Sequence, residues 1–248
     1  MRKLLCALVL LLLPLSLPAL AQDEGVTLQH ANINLSNTAS LQRGAKFFVN
    51  YCMGCHSARY VRYNRVGKDL GLTDVQLESY LMFAGGKTSD TMVSAMPQAD
   101  AKKWFGIPPP DLSLEADSRG TDWIYTYLKS FYLDPKSTTG VNNVVFPHTA
   151  MPQVLWELQG TQKAIFTTVK NPDGSTYEVF NRLEPVTPGK LTPGQFDKVD
   201  RDITNFLAYM SDPIALKSRD LGLRVIGFLI VFFIFAYLLK REIWKKIH

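Results

Sequence analysis

Residues 221–239 leave the chain little freedom. They read LGLRVIGFLIVFFIFAYLL, apolar throughout except for Arg224. As a helix, a run of this length extends about 28 Å, close to the hydrocarbon thickness of a bilayer. Arg224 falls in the first turn, where its long side chain reaches the headgroups. Lys240, Arg241, Lys245 and Lys246 follow, with Trp244 among them. A basic flank with an interfacial aromatic places that end on the cytoplasmic side. Charges on both sides of the run argue against a buried core helix.

The other end matches this topology. Arg2 and Lys3 precede an apolar run over 4–17, and Ala19-Leu20-Ala21 supplies a small-x-small cleavage pattern. A leader over 1–21 is expected, its removal taking Cys6 with it. The exported domain then spans 22–216, and 217–248 holds the anchor, with its span at about 221–239, and a short cytoplasmic tail. The chain is 46% hydrophobic and 20% charged, which excludes both a disordered and a polytopic membrane protein. Three cysteines exclude a disulfide-rich scaffold.

Charge placement removes one class of partner. The formal charge of +5 suggests nucleic acid or an anionic surface. Arg2, Lys3 and seven basic residues of 217–248 lie outside the exported domain, which keeps 18 basic and 20 acidic residues, a net of −2. The positive total is a topology signal, and no nucleic-acid partner is expected. A mildly acidic domain suits steering of a basic protein partner.

Periodicity gives a largely helical domain. Leu41, Ala45, Phe48 and Val49 share one face of a helix over 38–51. Thr73 and Gln76 form a capping box opening a helix that Gly85-Gly86 closes. Residues 108–110, three prolines, force an extended segment. Residues 121–133 read as an aromatic-rich amphipathic helix, and 196–210 as the last helix before Asp212-Pro213. Residues 163–183 look different: two β-prone runs flank Asn171-Pro-Asp-Gly174, a hairpin signal.

Cys52-Met53-Gly54-Cys55-His56 carries the chemistry. C-x-x-C-H is the attachment signature of a c-type haem. Thiols one helical turn apart can each add to a vinyl group, and the adjacent histidine becomes the proximal iron ligand. A thioredoxin-like dithiol wants a βαβ context, whereas these flanks are helical and aromatic. Zinc needs a fourth protein ligand, with only His30, His148 and His248 left to supply one. For the second iron ligand the candidates are His30, Met96, His148 and Met151. The tetrapeptide AMPQ occurs at both 95–98 and 150–153. Spacing from His56 favours Met96, and His148 would give a bis-histidine site.

Longer stretches carry a resemblance. The run 42–56 (QRGAKFFVNYCMGCH), 60–63 (YVRY), 104–113 (WFGIPPPDLS), 119–124 (RGTDWI) and 146–156 (FPHTAMPQVLW), with the C-terminal span, are similar to cytochrome c1, the haem-bearing subunit family of the cytochrome bc1 complex. The resemblance implies a mainly α fold: a class I cytochrome c-like haem domain with insertions and a small β-hairpin, plus one C-terminal transmembrane helix. It implies one covalent haem c on Cys52 and Cys55, with His56 and Met151 as iron ligands, Arg119 at a propionate and Pro110 lining the pocket. Arginine suits that role through charge-assisted bonds. Family members often carry further basic residues near this arginine, where this chain has Glu115 and Asp117. The resemblance further implies a redox subunit without catalysis of its own. It takes one electron from the Rieske iron–sulfur protein, sits beside cytochrome b in a dimeric complex, and passes the electron to a cytochrome c. The membrane would be a bacterial inner membrane, with the haem domain periplasmic. Rival readings are a haem peroxidase with an open distal site and an anchored cytochrome serving a terminal oxidase directly.

Overall fold

The computed structural model describes residues 26–245. The expected leader, 1–21, lies outside the described residues. The first helix, α1 (Thr38–Phe47), is capped by the Asn37 side chain, which accepts the Ser40 amide at 3.1 Å. A π-helical turn, Phe48–Cys52, continues it into the C-x-x-C-H motif. Next come β1 (Ala58–Arg62), α2 (Tyr63–Leu70), α3 (Asp74–Tyr80), β2 (Thr91–Met92) and α4 (Gln98–Phe105). Then follow α5 (Glu115–Arg119), α6 (Thr121–Lys129), β3 (Phe131–Leu133), β4 (Val141–Asn143) and α7 (Trp156–Gln159). The chain closes with β5 (Gly160–Lys170), β6 (Thr176–Pro188), α8 (Pro193–Ser211) and α9 (Ala215–Trp244).

The core forms where α1 crosses α8. A Cβ on Gly44 would stand 2.0 Å from the Asp202 carbonyl oxygen and 2.7 Å from Phe206 Cβ, so this crossing requires glycine. One turn on, the Phe48 and Phe206 rings lie 5.6 Å apart, both fully buried. Asp202 locks the crossing. It accepts Ser40 Oγ at 2.6 Å, and both its oxygens accept Arg43, at 2.6 and 2.8 Å. The opposite edge of α8 meets α6, where Asp197 takes Lys129 Nζ at 2.6 Å and Arg201 Nη2 at 2.8 Å, and the Tyr125 hydroxyl also donates to it. Against the cost of burial, Lys129, the Tyr125 hydroxyl and Arg201 hold the Asp197 carboxyl far below the ordinary range.

Several sequence expectations hold and others shift. The capping box expected at Thr73/Gln76 forms, and a second one that the sequence reading did not single out forms at Thr192/Gln195, with Pro193 in the first turn of α8. The helix from Thr73 ends at Tyr80, well before Gly85-Gly86. The helix expected over 121–133 stops at Lys129. The remaining aromatic residues become β3 because Phe131, Tyr132 and Leu133 pair with Asn143, Asn142 and Val141. The hairpin is longer than 163–183: β5 and β6 pair from Gly160↔Pro188 to Lys170↔Thr176, with two register irregularities. Two more two-stranded antiparallel sheets, β1–β2 and β3–β4, accompany it among the described residues. The C-terminal helix also outruns its expected 221–239 span. Within α9, Leu221–Trp244 is long and apolar enough to cross a membrane, with mean hydropathy 2.4 and none of that window buried.

Candidate haem site

The π turn delivers the motif. Its wider hydrogen bond runs from the Met53 amide to Phe48 O at 2.9 Å, and the amides of Cys55 and His56 both donate to Cys52 O, at 3.1 and 2.8 Å. Cys52 and Cys55 thus sit one turn apart on a tight loop, both as free thiols. Burial pushes the Cys52 thiol up to about 12 and raises Cys55 as well, so both are neutral.

A second strand of chain fixes His56. Segment 110–113 runs alongside 56–60: His56 Nδ1 meets Pro110 O at 2.8 Å, and Leu112 N donates to Ser57 O at 2.8 Å. Arg59 N donates to Asp111 Oδ2 at 3.0 Å, and Tyr60 N to Ser113 Oγ at 3.1 Å. Because a carbonyl only accepts, Nδ1 carries the proton and Nε2 keeps its lone pair. Burial lowers the pKa of His56, which favours the neutral imidazole that a metal requires. The three prolines matter here because Pro110 leaves its carbonyl free of helical partners.

A separate chain of contacts leads to Met151. Arg119 lies over the Trp123 ring at 4.8 Å and the Phe146 ring at 5.6 Å, and its Nε is 3.3 Å from Glu115 Oε1. Trp123 stacks on Tyr127 at 5.0 Å and 7°. The Tyr127 hydroxyl meets Thr149 Oγ1 at 2.8 Å, and Thr149 Oγ1 accepts the Met151 amide at 3.3 Å. Met151 is half-buried against the core that also contains Cys52 and Met53. The expected residues therefore form two groups on one core: Cys52, Cys55, His56 and Pro110 in direct contact, and Arg119 and Met151 joined through aromatic stacking. Glu115, which departs from the family's basic tendency, is the partner of Arg119.

The rival ligand candidates stand elsewhere. His30 is 83% exposed and bound to Asp122 at 2.7 Å. His148 is exposed, with φ +62 and its amide held by Asn142 Oδ1 at 2.8 Å. Met96 belongs to the loop that clasps the motif: Ser94 Oγ donates to Gly54 O at 2.9 Å and accepts the Met96 amide at 3.1 Å.

Asn142 and Asn143 have no place in the sequence reading, yet they shape the Met151 loop. Asn143 is fully buried. Its Oδ1 accepts Ser130 Oγ, Val145 N and Phe146 N at 2.9–3.1 Å, while Nδ2 donates to Tyr127 O at 2.8 Å. The only sequence signal is a polar pair at the end of a strand-prone segment, ordinary for a turn.

The two neutral thiols, the histidine with one nitrogen free and the adjoining apolar core fit a covalently attached haem. Together with the membrane-length helix they define a single-pass c-type haem protein. The chain belongs to the Cytochrome C1 family, whose model matches residues 29–165 and 185–247. Members of that family carry a covalently bound haem c. The outer part of the β5–β6 hairpin falls between the two matched stretches. The chain is 49% identical to cytochrome c1 of Allochromatium vinosum over the full length of both. It is 41% identical to a protein named ammonia monooxygenase gamma subunit from Nitrosomonas europaea, over 96% of this chain and 97% of that one. A Rhodobacter capsulatus cytochrome c1 is 23% identical over 83% of this chain and 82% of its own.

Proposed function

We propose that this chain is the electron-transfer subunit of a bc1 complex, taking one electron from a Rieske iron–sulfur protein and giving it to a cytochrome c. The observation that carries the reading is the His56–Pro110 bond beside the free thiols of Cys52 and Cys55. A haem c, when bound, supplies the one-electron couple. Cys52 and Cys55 would tether it, and the Pro110 carbonyl, by holding Nδ1 of His56, leaves Nε2 available to bind its iron. Met151 would provide the sulfur ligand. Supporting it over Met96, the Thr149–Tyr127–Trp123 contacts fix its backbone at the edge of the core, while Met96 sits beside the motif turn. Arg119 offers a guanidinium to a propionate, and its Trp123 stacking pre-positions it.

The α1–α8 crossing at Gly44 and Phe206 supports a class I cytochrome c-like arrangement for 22–216. Leader 1–21 and anchor 217–248 then put this domain on the periplasmic face of a bacterial inner membrane, beside cytochrome b in a dimeric complex. The relative named as an ammonia monooxygenase subunit gives a second reading, an anchored electron carrier of a membrane oxygenase. Isolation of the native complex distinguishes the two by what accompanies the chain.

Met151→Leu tests the ligand set. The expected outcome is loss of the low-spin spectrum and a fall in potential, since a methionine ligand would raise it. An unchanged low-spin spectrum and potential would rule out Met151 as the ligand.

A further inference from the structure

Among the described residues, Asp200 is a buried carboxyl left without a partner or a role. It lies on α8, is 0% exposed, and neither carboxylate oxygen has a hydrogen-bond partner. Thr204, one turn along the same helix face, is equally buried, and its hydroxyl is also unpartnered. An isolated buried carboxylate is strongly disfavoured, and such groups neutralise by holding a proton. Burial accordingly raises Asp200 well above the carboxylate range.

Its neighbours do not compensate it. Lys129 on α6 and Arg201 on α8 favour the charged form, but both bind Asp197, which opposes it. On α6, the Tyr125 hydroxyl also goes to Asp197. On α1, Arg43 is bound to Asp202. On α5, Glu115 and Arg119 pair with each other and Asp117 is exposed. On α7, Glu157 pairs with Lys190 at 2.9 Å. The π turn that leads into the haem-attachment motif packs directly on α8, with Phe48 against Phe206 at 5.6 Å. Val199, next to Asp200 in sequence, and Ile203, three residues on, belong to the same hydrophobic core as Cys52.

We propose that Asp200 is a redox-linked proton site: it holds a proton while the chain carries its electron and releases that proton to solvent as the electron leaves. This rests on the haem reading above. On donation, one electron goes to the haem-protein acceptor and one proton goes to water; on refilling, one of each returns. Loss of the electron makes the site one unit more positive, and in a low-dielectric core this favours the carboxylate. The coupling is reciprocal, so proton release in turn stabilises the oxidised form.

The experiment is a potentiometric titration of the c-type haem in the isolated complex at a series of pH values, for the native chain and Asp200→Asn. A tenfold change in proton activity per pH unit converts to about 59 mV for a one-electron couple. The native potential is expected to fall with rising pH at a slope approaching that value, and Asp200→Asn to remove that component over the same range. Identical pH curves in the two proteins, or a shift that is uniform across pH, overturn the proposal. Redox-difference infrared spectroscopy of the native complex needs no variant. A carboxylic-acid carbonyl signal that moves in D2O and is lost on oxidation is expected, and its absence overturns the proposal. A chain without a covalent haem spectrum overturns the functional reading as well, and is seen before any pH series begins.

Discussion

Pro110 O takes Nδ1 of the His56 ring and leaves Nε2 with its lone pair free. The motif was legible as sequence, but this partner was not, since 54 residues separate the two and no local pattern ties them. Arg119 shows the same limit: the resemblance implies its propionate role, but its seat on Trp123 and its Glu115 partner arise only in three dimensions. Arg119→Gln is expected to cost about 1 kcal/mol through lost cation–π contact. It should also lower the haem potential, because a cation nearby favours the reduced form less once removed; redox titration reads the second effect and thermal unfolding the first. Asp200 gives a pH prediction with a definite sign. Its folded pKa is raised, so the native state binds more protons than the unfolded chain once pH exceeds the ordinary carboxylate value of about 3.9. Stability therefore falls as pH rises from there to the raised value, by up to about 1.4 kcal/mol per unit. Asp200→Asn should flatten that fall in denaturant unfolding of the detergent-solubilised protein, and an unchanged pH profile would count against a buried proton.

Among the elements, the helices with a clean apolar period and a capping box were readable and the short strands were not. The Thr73/Gln76 box opens its helix as expected, because capping is a local hydrogen-bond exchange, and the Thr192/Gln195 box, of the same spacing, was overlooked. β1 pairs with β2 across a long connection and β3 with β4 across a seven-residue one, and strands of two to five residues leave no readable period. Residues 131–133 illustrate why: their spacing continues the α6 face, yet pairing with 141–143 takes them into a strand. Gly44→Ala is expected to destabilise the domain by about 1–3 kcal/mol, because the added methyl would overlap the Asp202 carbonyl at the α1–α8 crossing. Asn143→Ala is expected to cost about 1–3 kcal/mol, since it removes the Oδ1 that the Val145 and Phe146 amides donate to and the Nδ2 that donates to Tyr127 O. Because Asn143 holds the loop before Met151, that variant should also broaden or weaken the low-spin spectrum at room temperature, whereas Gly44→Ala should leave the spectrum of the folded fraction unchanged.

At the scale of the whole molecule, the uneven charge along the chain was the most readable property. A basic, apolar C-terminal end and a mildly acidic remainder describe an anchored domain, and α9 with its exposed Leu221–Trp244 stretch fits a single-pass anchor. The outer β5–β6 hairpin was legible as an oddity in composition and lies between the two matched family stretches. Ending the chain after Asp212 is expected to release a haem-bearing domain into the soluble fraction, with a spectrum matching the anchored form. The central claim is a covalent, histidine–methionine-ligated haem working inside a quinol-oxidising complex. Its most direct test is a reduced-minus-oxidised spectrum and redox titration of the complex isolated from membranes through this chain. A c-type band that survives acid–acetone extraction, titrates as one low-spin component, and accompanies b-type haem and a Rieske iron–sulfur signal is the predicted result. A chain that isolates with a copper–haem oxidase or a copper oxygenase instead, or whose iron is high-spin, would contradict it.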